Sequence, residues 1–204
     1  MFTCSEIRRR ARVTLGNNIF SKEWLFALLV SLVIEGILGA SATFVLLPLI
    51  LVGPLSYGMN RYYLNLTRRQ GAPDSIDPAL EGFKNNFTEN LLTGLLSSIF
   101  TFLWSLLFVI PGIVKGLSYS MALYIRIDHP ELTAQQAIAA STRLMDGYKM
   151  KLFLLYLSFI GWIIVGGLCF GIGTLWVNAY MQAAMAEFYE EIKAEKEGYA
   201  RPAV

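Results

Sequence analysis

The stretch "FVIPGIVKGLSY" (residues 108–119) places a proline, two glycines and a lysine inside a long apolar region. Proline cannot continue a helix, and glycine tolerates the backbone angles of a turn. The preceding block, residues 91–110, carries no charge and has the roughly 20-residue length that a helix needs to cross the hydrocarbon core of a membrane. The sequence therefore predicts a helical hairpin, with a crossing at 91–110, a turn at Pro111-Gly112 and a return at 113–127.

The whole chain has the composition of a membrane protein. Of its 204 residues, 55% are hydrophobic and only 16% are charged, and the mean hydropathy is +0.50. Soluble domains carry about 25% charged residues, so this chain has too few charges to cover a globule. A second uncharged block covers residues 152–171. We expect a polytopic helical membrane protein.

The hairpin pattern occurs twice more along the chain. The first hairpin is predicted to cross at 24–38, to turn at Gly39-Ala40-Ser41 and to return at 43–63. The last is predicted to cross at 151–165 and to return as far as residue 189, with the turn near four glycines: Gly166, Gly167, Gly171 and Gly173. The predicted fold class is an all-α membrane protein with six transmembrane helices in three hairpins, joined by short cytoplasmic amphipathic helices.

The distribution of lysine and arginine predicts the orientation, because cytoplasmic loops of membrane proteins are enriched in these residues. Of the 17 bases, only Lys115 lies near the turns of the hairpins. Both termini are therefore predicted to be cytoplasmic. The bases on the other side are Arg8, Arg9, Arg10, Arg12, Lys22, Arg61, Arg68, Arg69, Lys84, Arg126, Arg143, Lys149, Lys151, Lys193, Lys196 and Arg201.

Short motifs recur at similar intervals and indicate an internal repeat. "LSYGM" at 55–59 matches "LSYSM" at 117–121, and Tyr180 continues the series more weakly. The entries to the hairpins, "LGNN", "EGFK" and "DGYK", recur as well. We predict three parallel copies of one unit around a pseudo-threefold axis; the alternative is chance similarity among Tyr- and Gly-rich helices. The predicted copies cover about 1–66, 67–128 and 129–192 of a single membrane domain, followed by a charged tail at 193–204.

The connectors between the hairpins have the pattern of short amphipathic helices. In the connector at 129–149, Thr133 can cap a helix and Gln136 completes a capping box. Gly147 suits the end of that helix, and Pro78 suits the start of a short helix in the other connector. These helices either pack under the bundle or bind a partner.

Two ionisable residues, Glu35 and Lys115, lie within the apolar spans at matching predicted depths. A charge inside a membrane is costly and marks a function or a partner. An ion pair between these two residues is one interpretation. The other is that each side chain reaches the outer interface independently.

Small residues at helical spacing predict close helix packing. Ser97, Thr101 and Ser105 share one helix face, and Gly112 and Gly116 repeat the spacing. Internal packing is the first interpretation and contact between copies is the second.

Tyr57, Tyr119 and Tyr180 occupy equivalent positions in the predicted repeats. They would surround a cavity if the bundle axis were hollow, or would pack inside the bundle if it were not. The candidate binding residues are Glu35, Lys115, Tyr57, Tyr119 and Tyr180.

Catalytic and metal chemistry have little support in the sequence. Ser118 shares a helix face with Lys115, and Asp128-His129 precedes a proline, but neither forms a recognised catalytic motif. One histidine excludes a multi-histidine metal site, and Cys4 and Cys169 form no metal-ligand pattern. A net charge of +2 gives no indication of nucleic-acid binding. We predict no cofactor and no enzymatic activity.

The sequence resembles a bacterial integral-membrane family, domain of unknown function 975. The motifs that carry the resemblance are "IPGIVKGLSYSMALYIRIDHPELTAQQAI", "STRLMDGYKMKLF", "LSFIGW", "GIGTLW" and "AEFY". More distantly, the chain is similar to the membrane domain attached to some glycerophosphodiesterases, without their catalytic domain. The resemblance implies a multi-pass protein of the bacterial inner membrane, and supplies no site residues.

Three functions remain open from the sequence. The first is a non-enzymatic membrane module that binds lipid, a peptide, a partner membrane protein or a second copy of itself. The second is a small transporter or channel that uses the centre of the three-hairpin bundle. The third, an intramembrane enzyme, has the least support.

Overall fold

The computed structural model describes residues 3–16, 21–41, 47–70, 76–84, 86–168 and 172–198. In these residues helices are the only regular secondary structure, which confirms the all-α prediction. The helices are α1 (Cys4–Thr14), α2 (Lys22–Ser41), α3 (Leu47–Arg68), α4 (Asp77–Lys84), α5 (Phe87–Leu107), α6 (Val109–Tyr119), α7 (Ala122–Asp128), α8 (Ala134–Leu144), α9 (Lys149–Leu168) and α10 (Ile172–Glu197).

The chain divides into two compact units. The first unit comprises Met1–Glu35, Tyr62–Ile76 and Met150–Val204, and the second comprises Gly36–Arg61 and Asp77–Lys149. Helices α1, α9 and α10 supply most of the first unit, whereas α4 to α8 lie in the second.

Aromatic residues form the core of the first unit. The ring of Tyr180 on α10 meets Phe159 on α9 edge-on, with the ring centroids 5.1 Å apart, and its hydroxyl donates to the carbonyl of Arg8 at 2.8 Å. The buried hydroxyls of Ser31 and Tyr63 lie 2.8 Å apart. Each polar atom of these aromatic side chains therefore has a partner inside the unit, as burial requires.

The second unit is built on the hairpin of α5 and α6, and here the predicted turn is wrong. The break between the helices lies at Phe108, which has an extended backbone, and Pro111 lies in the first turn of α6. Proline is tolerated there because the first N–H groups of a helix have no intrahelical acceptor. Pro111 therefore belongs to the beginning of the returning helix and does not end the preceding one.

The turn predicted at residues 39–41 of the first hairpin needs correction. In the third hairpin α9 ends at Leu168 and α10 begins at Ile172, among the four glycines near which the turn is predicted. Residues 39–41 belong to α2, Gly166 and Gly167 belong to α9, and Gly173 belongs to α10. A Cβ built on Gly166 would lie 2.9 Å from the carbonyl carbon of Gly173, so these two glycines let the helices approach closely. Gly171 and the connection at 42–46 lie outside the described residues.

The same use of small residues brings α3 against its neighbours in the second unit. A Cβ on Gly94 of α5 would lie 2.5 Å from the Cα of Gly53 on α3. A Cβ on Gly58 would lie closer still to the carbonyl oxygen of Ala79 on α4. Helices α4 and α5 can therefore contact α3 backbone to backbone.

The connector helices agree with the sequence prediction. Helix α8 begins with a complete capping box. The Thr133 side chain accepts the backbone N–H of Gln136, and the Gln136 side chain accepts the backbone N–H of Thr133. Gly147 beyond its end has a φ of +84°. Pro78 is the second residue of α4, and α10 continues into the predicted charged tail as far as Glu197.

A short helix precedes each predicted hairpin: α1 before α2 and α3, α4 before α5 and α6, and α8 before α9 and α10. The threefold relation among these segments stays a prediction.

Among the described residues, no single helix combines the length and the apolar composition that a membrane crossing requires. The segments Ala134–Leu144 and Lys149–Ile164 meet that requirement as a pair, by length and composition alone.

Candidate functional site

The hydroxyl side chains of α5 lie on one face, as the spacing of Ser97, Thr101 and Ser105 predicts. Thr101 donates to the carbonyl of Ser97 at 2.7 Å, and Ser105 donates to the carbonyl of Thr101 at 2.8 Å. Because each hydroxyl donates to its own helix, its oxygen keeps acceptor capacity for another group. The buried Oγ of Ser97 has no hydrogen-bond partner in the described part of the chain. The face therefore offers acceptors, and at Ser97 also a free donor.

Close packing of α6 completes a groove beside this face. A Cβ on Gly112 would lie 2.6 Å from the Cα of Ser105, and a Cβ on Gly116 would lie 3.3 Å from the methyl carbon of Thr101. The groove has a volume of about 520 Å³. We call it the hydroxyl groove; its lining residues are Val52, Ser56, Gly94, Ser97, Ser98, Thr101, Phe102, Ser105, Gly116, Tyr119, Ser120 and Leu123.

The hydroxyl groove is amphipathic. Val52, Phe102 and Leu123 supply apolar surface. Tyr119 lies against Phe100, with the ring centroids 6.2 Å apart. A ligand that fits this groove would combine a hydrocarbon part with a polar group that can donate to serine or threonine oxygens.

A second cavity, of about 470 Å³, lies at the other end of α5. Glu89 accepts the N–H of Ala134 at 2.8 Å, and Asn86 donates to the carbonyl of Pro130 at 3.1 Å. Glu131 at its rim accepts its own backbone N–H and contacts His129, and both interactions lower the pKa of its carboxyl group. These polar groups hold the start of α8 against α5, which is a structural role.

Arg126 is the largest buried side chain of this region, and sequence reasoning missed its role. It donates to Asn90 at 3.2 Å, to the carbonyl of Pro130 at 3.1 Å and to the carbonyl of Leu132. The three acceptors come from α5 and from the loop before α8. A single arginine thus ties three segments of the second unit together.

The first unit contains a cluster of buried carboxylates on α10. Glu187 accepts the hydroxyl of Thr14 at 2.6 Å, and Glu190 accepts Nε and Nη2 of Arg68 at 2.9 and 2.7 Å. Arg10 pairs with Glu191 and with Glu6. Each carboxylate has a partner from another segment, so the cluster serves to bind α1, α3 and α10 to one another. Within the described residues, no group of three or more His, Cys, Asp or Glu is placed to hold a metal ion.

The two predicted ionisable site residues each have a contact within their own unit. Glu35 accepts a hydrogen bond from Asn178 in the first unit. The Nζ of Lys115 in the second unit lies 4.9 Å from the centroid of the Trp104 ring. The pairing of Glu35 with Lys115 stays a prediction.

The three predicted tyrosines make different contacts. Tyr57 is buried in the second unit, Tyr119 lines the hydroxyl groove, and Tyr180 belongs to the aromatic core of the first unit. Of these residues, only Tyr119 lies at the groove. The ring of tyrosines around a hollow axis also stays a prediction.

Comparison with known proteins gives one family. Residues 106–196 match the model of the family described as Protein of unknown function (DUF975). This match supports the family resemblance over that part of the chain, which contains α6 to α9 and nearly all of α10. No curated protein and no solved structure matches the chain. The distant similarity to the membrane domain of glycerophosphodiesterases stays a prediction.

Proposed function

We propose that the protein is a non-enzymatic, multi-pass protein of the bacterial inner membrane, with both termini cytoplasmic, that binds a lipid in the hydroxyl groove. The observation that carries the proposal is the groove itself, about 520 Å³ in volume, with hydroxyl oxygens along α5 and apolar side chains beside them. Sites for small molecules have this combination of a mostly apolar lining with a few placed polar groups.

Exposed apolar side chains support the membrane location. On α5, Phe102 and Leu106 are 66% and 76% exposed, and on α9 Trp162 and Ile164 are more than half exposed. Large contiguous apolar surfaces of this kind mark contact with a membrane or another protein. In a bilayer these side chains would contact lipid hydrocarbon, for which no polar cover is needed.

The chemistry of the groove indicates which lipids it would bind. Ser98, Thr101 and Ser105 use their hydroxyl protons on their own helix, so they can only accept from a ligand. A lipid with a free hydroxyl or an amide N–H can donate to these three oxygens. The Ser97 hydroxyl has no partner in the described part of the chain, so it can either accept from such a lipid or donate to an ester carbonyl. A lipid without a donor could therefore bond to Ser97 but not to the other three oxygens.

Binding of fluorescent lipids to the purified protein in detergent tests the proposal. The probe is a pyrene-labelled diacylglycerol, which has a free hydroxyl, and the comparison lipid is the matching triacylglycerol, which has none. Ser97→Leu fills the groove and removes one acceptor, so we expect the diacylglycerol affinity to fall about tenfold or more. Ser158→Leu is the matched control, because Ser158 lies on α9 in the other unit and donates to the carbonyl of Leu155.

Equal binding of the two lipids, or equal effects of the two substitutions, would contradict the proposal. Vesicles containing the purified protein also test the alternative function, a small transporter or channel. Flux of a solute that depends on the protein would favour that alternative.

A further inference from the structure

The tip of the α5–α6 hairpin has a surface that is unusual for a segment facing water. Leu106, Phe108, Val109 and Ile110 are each at least 70% exposed. From residue 106 to Pro111, no side chain is polar. Four large neighbouring apolar side chains in water would be strongly unfavourable relative to an apolar environment.

The one non-helical residue at this tip has partners for both of its backbone polar groups. The connection is a single residue, Phe108, whose N–H donates to the carbonyl of Trp104 at 3.2 Å and whose carbonyl accepts the N–H of Gly112 at 3.2 Å. Pro111 has no N–H to satisfy. Backbone polar groups without partners are unfavourable inside a membrane. Phe108, the one non-helical residue of the tip, has partners for both of its groups.

The length of α5 places the tip short of the far side of a bilayer. Glu89 lies at the polar end of α5, beside the half-exposed His129 and the exposed Glu131. At the helical rise, the distance from Glu89 to the end of α5 at Leu107 is about 27 Å. The hydrocarbon core is about 30 Å thick. With Glu89 at the cytoplasmic surface, the tip lies within the core.

Lys115 is the charged residue closest to the tip in α5 and α6, and the structure gives it a partner. Its Nζ lies 4.9 Å from the centroid of the Trp104 ring, which attracts the ammonium group by a cation–π interaction. This interaction strengthens when water is excluded. The free-energy cost of placing this lysine in the membrane is lowered by its aromatic partner and its flexible stem. That cost is smaller than the cost of exposing four large apolar side chains to water.

We propose that the tip of the α5–α6 hairpin, residues 106–111, ends in lipid hydrocarbon and does not reach water on the far side of the membrane. The proposal rests on the membrane location given above. It changes the topology expected from the sequence, in which the turn at Pro111 emerges on the outer face. The α5–α6 hairpin would then enter and leave the bilayer from the cytoplasmic side without exposing a turn on the outer face.

Spin labels at single cysteines test this placement in the full-length protein, reconstituted in phosphatidylcholine vesicles. The two native cysteines are first replaced, as Cys4→Ser and Cys169→Ser. A nitroxide at Ile110→Cys reports the tip, one at Leu157→Cys reports the exposed face of α9, and one at Gln135→Cys reports the exposed face of α8. Collisions with oxygen report hydrocarbon, and collisions with a neutral water-soluble nickel complex report water.

At the tip, we expect frequent collisions with oxygen and loss of collisions with nickel. A maleimide reacts with the thiolate form of cysteine, which is excluded from hydrocarbon. Added outside, it should therefore react with Ile110→Cys about 100-fold more slowly than with Gln135→Cys in opened vesicles. Nickel collisions at the tip would overturn the proposal by placing it in water. Protection from both reagents would overturn it by placing protein over the tip.

The label at position 157 separates this inference from the membrane location itself. If the nickel complex reaches position 157 as readily as position 135, the protein is not embedded and the proposed function fails. If position 157 reports hydrocarbon and position 110 reports water, only the inference about the tip fails.

Discussion

Gly112 on α6 lies so close to Ser105 on α5 that a Cβ on the glycine would be 2.6 Å from the Cα of the serine. The single-residue connection at Phe108 forces the two helices together at this level, and only a residue without a side chain fits between them. This contact determines the shape of the hairpin and of the hydroxyl groove beside it.

Gly112→Ala should therefore destabilise the second unit. The added methyl group would meet backbone, which cannot move as a flexible side chain can, so we expect the free energy of unfolding to fall by about 1–3 kcal/mol. The measurement is thermal or denaturant unfolding in micelles followed by circular dichroism. Gly161→Ala on α9 is the control, because nothing lies within 4 Å of its added Cβ. A loss of stability as large in the control as in Gly112→Ala would exclude close packing as the cause.

Replacement of Arg126 by methionine should also destabilise the second unit. The substitution leaves the carbonyls of Pro130 and Leu132 and the side-chain oxygen of Asn90 without their shared donor. Hydrogen bonds of charged groups are strong, so we expect a loss of about 3 kcal/mol in the free energy of unfolding. The same unfolding experiment measures it. Lys84→Met, at an exposed residue of α4, should change stability by less than about 1 kcal/mol.

Arg68→Met should remove the arginine that pairs with the buried carboxylate of Glu190. We expect a loss of about 3 kcal/mol in the free energy of unfolding, since a buried charge without its counterion is unfavourable. The double substitution Arg68→Met with Glu190→Leu removes both charges and should recover most of that loss. Arg9→Met, at an exposed arginine of α1, should have little effect. No recovery in the double variant would show that the pair does not account for the effect of Arg68.

The Glu131 carboxyl group should titrate below its ordinary range. Its own backbone N–H and the contact with His129 lower its pKa from 4.5. Because its pKa in the folded state is depressed, its contribution to stability is present above the unfolded-state pKa and is lost as the pH falls through the folded-state pKa. Carboxyl carbon chemical shifts measured against pH by NMR check this. His129→Ala should raise the pKa of Glu131, and an unchanged pKa would count against the contact.

Several features of the structure could be predicted from local sequence. The capping box of Thr133 and Gln136 and the hydroxyl face of α5 are short-range patterns, and the structure has them at the predicted residues. The position of the break at Phe108 could not be read in the same way. A proline both ends one helix and is tolerated in the first turn of the next, so Pro111 alone does not distinguish the two positions.

The roles of the candidate site residues depended on long-range contacts. From the sequence, Glu35 and Lys115 stood out because each is a charge in an apolar span, and the structure adds a contact of Glu35 with Asn178 and of Lys115 with Trp104. The sequence pattern did not single out Arg126 or Glu190, because each lies near other charged residues in the chain. Burial and pairing are properties of the packed helices and leave no spacing pattern.

The amino-acid sequence by itself determined that the chain is helical and where its helices have small, hydroxyl-bearing or apolar faces, because these properties depend on neighbours within a few residues. Only the tertiary structure decided which faces meet. Arg68 and Glu190 lie 122 positions apart, and their ion pair forms because α3 and α10 bring them together. The hydroxyl groove likewise exists only because α3, α5 and α6 approach closely at glycines, which remove the side chains that would otherwise keep the helices apart.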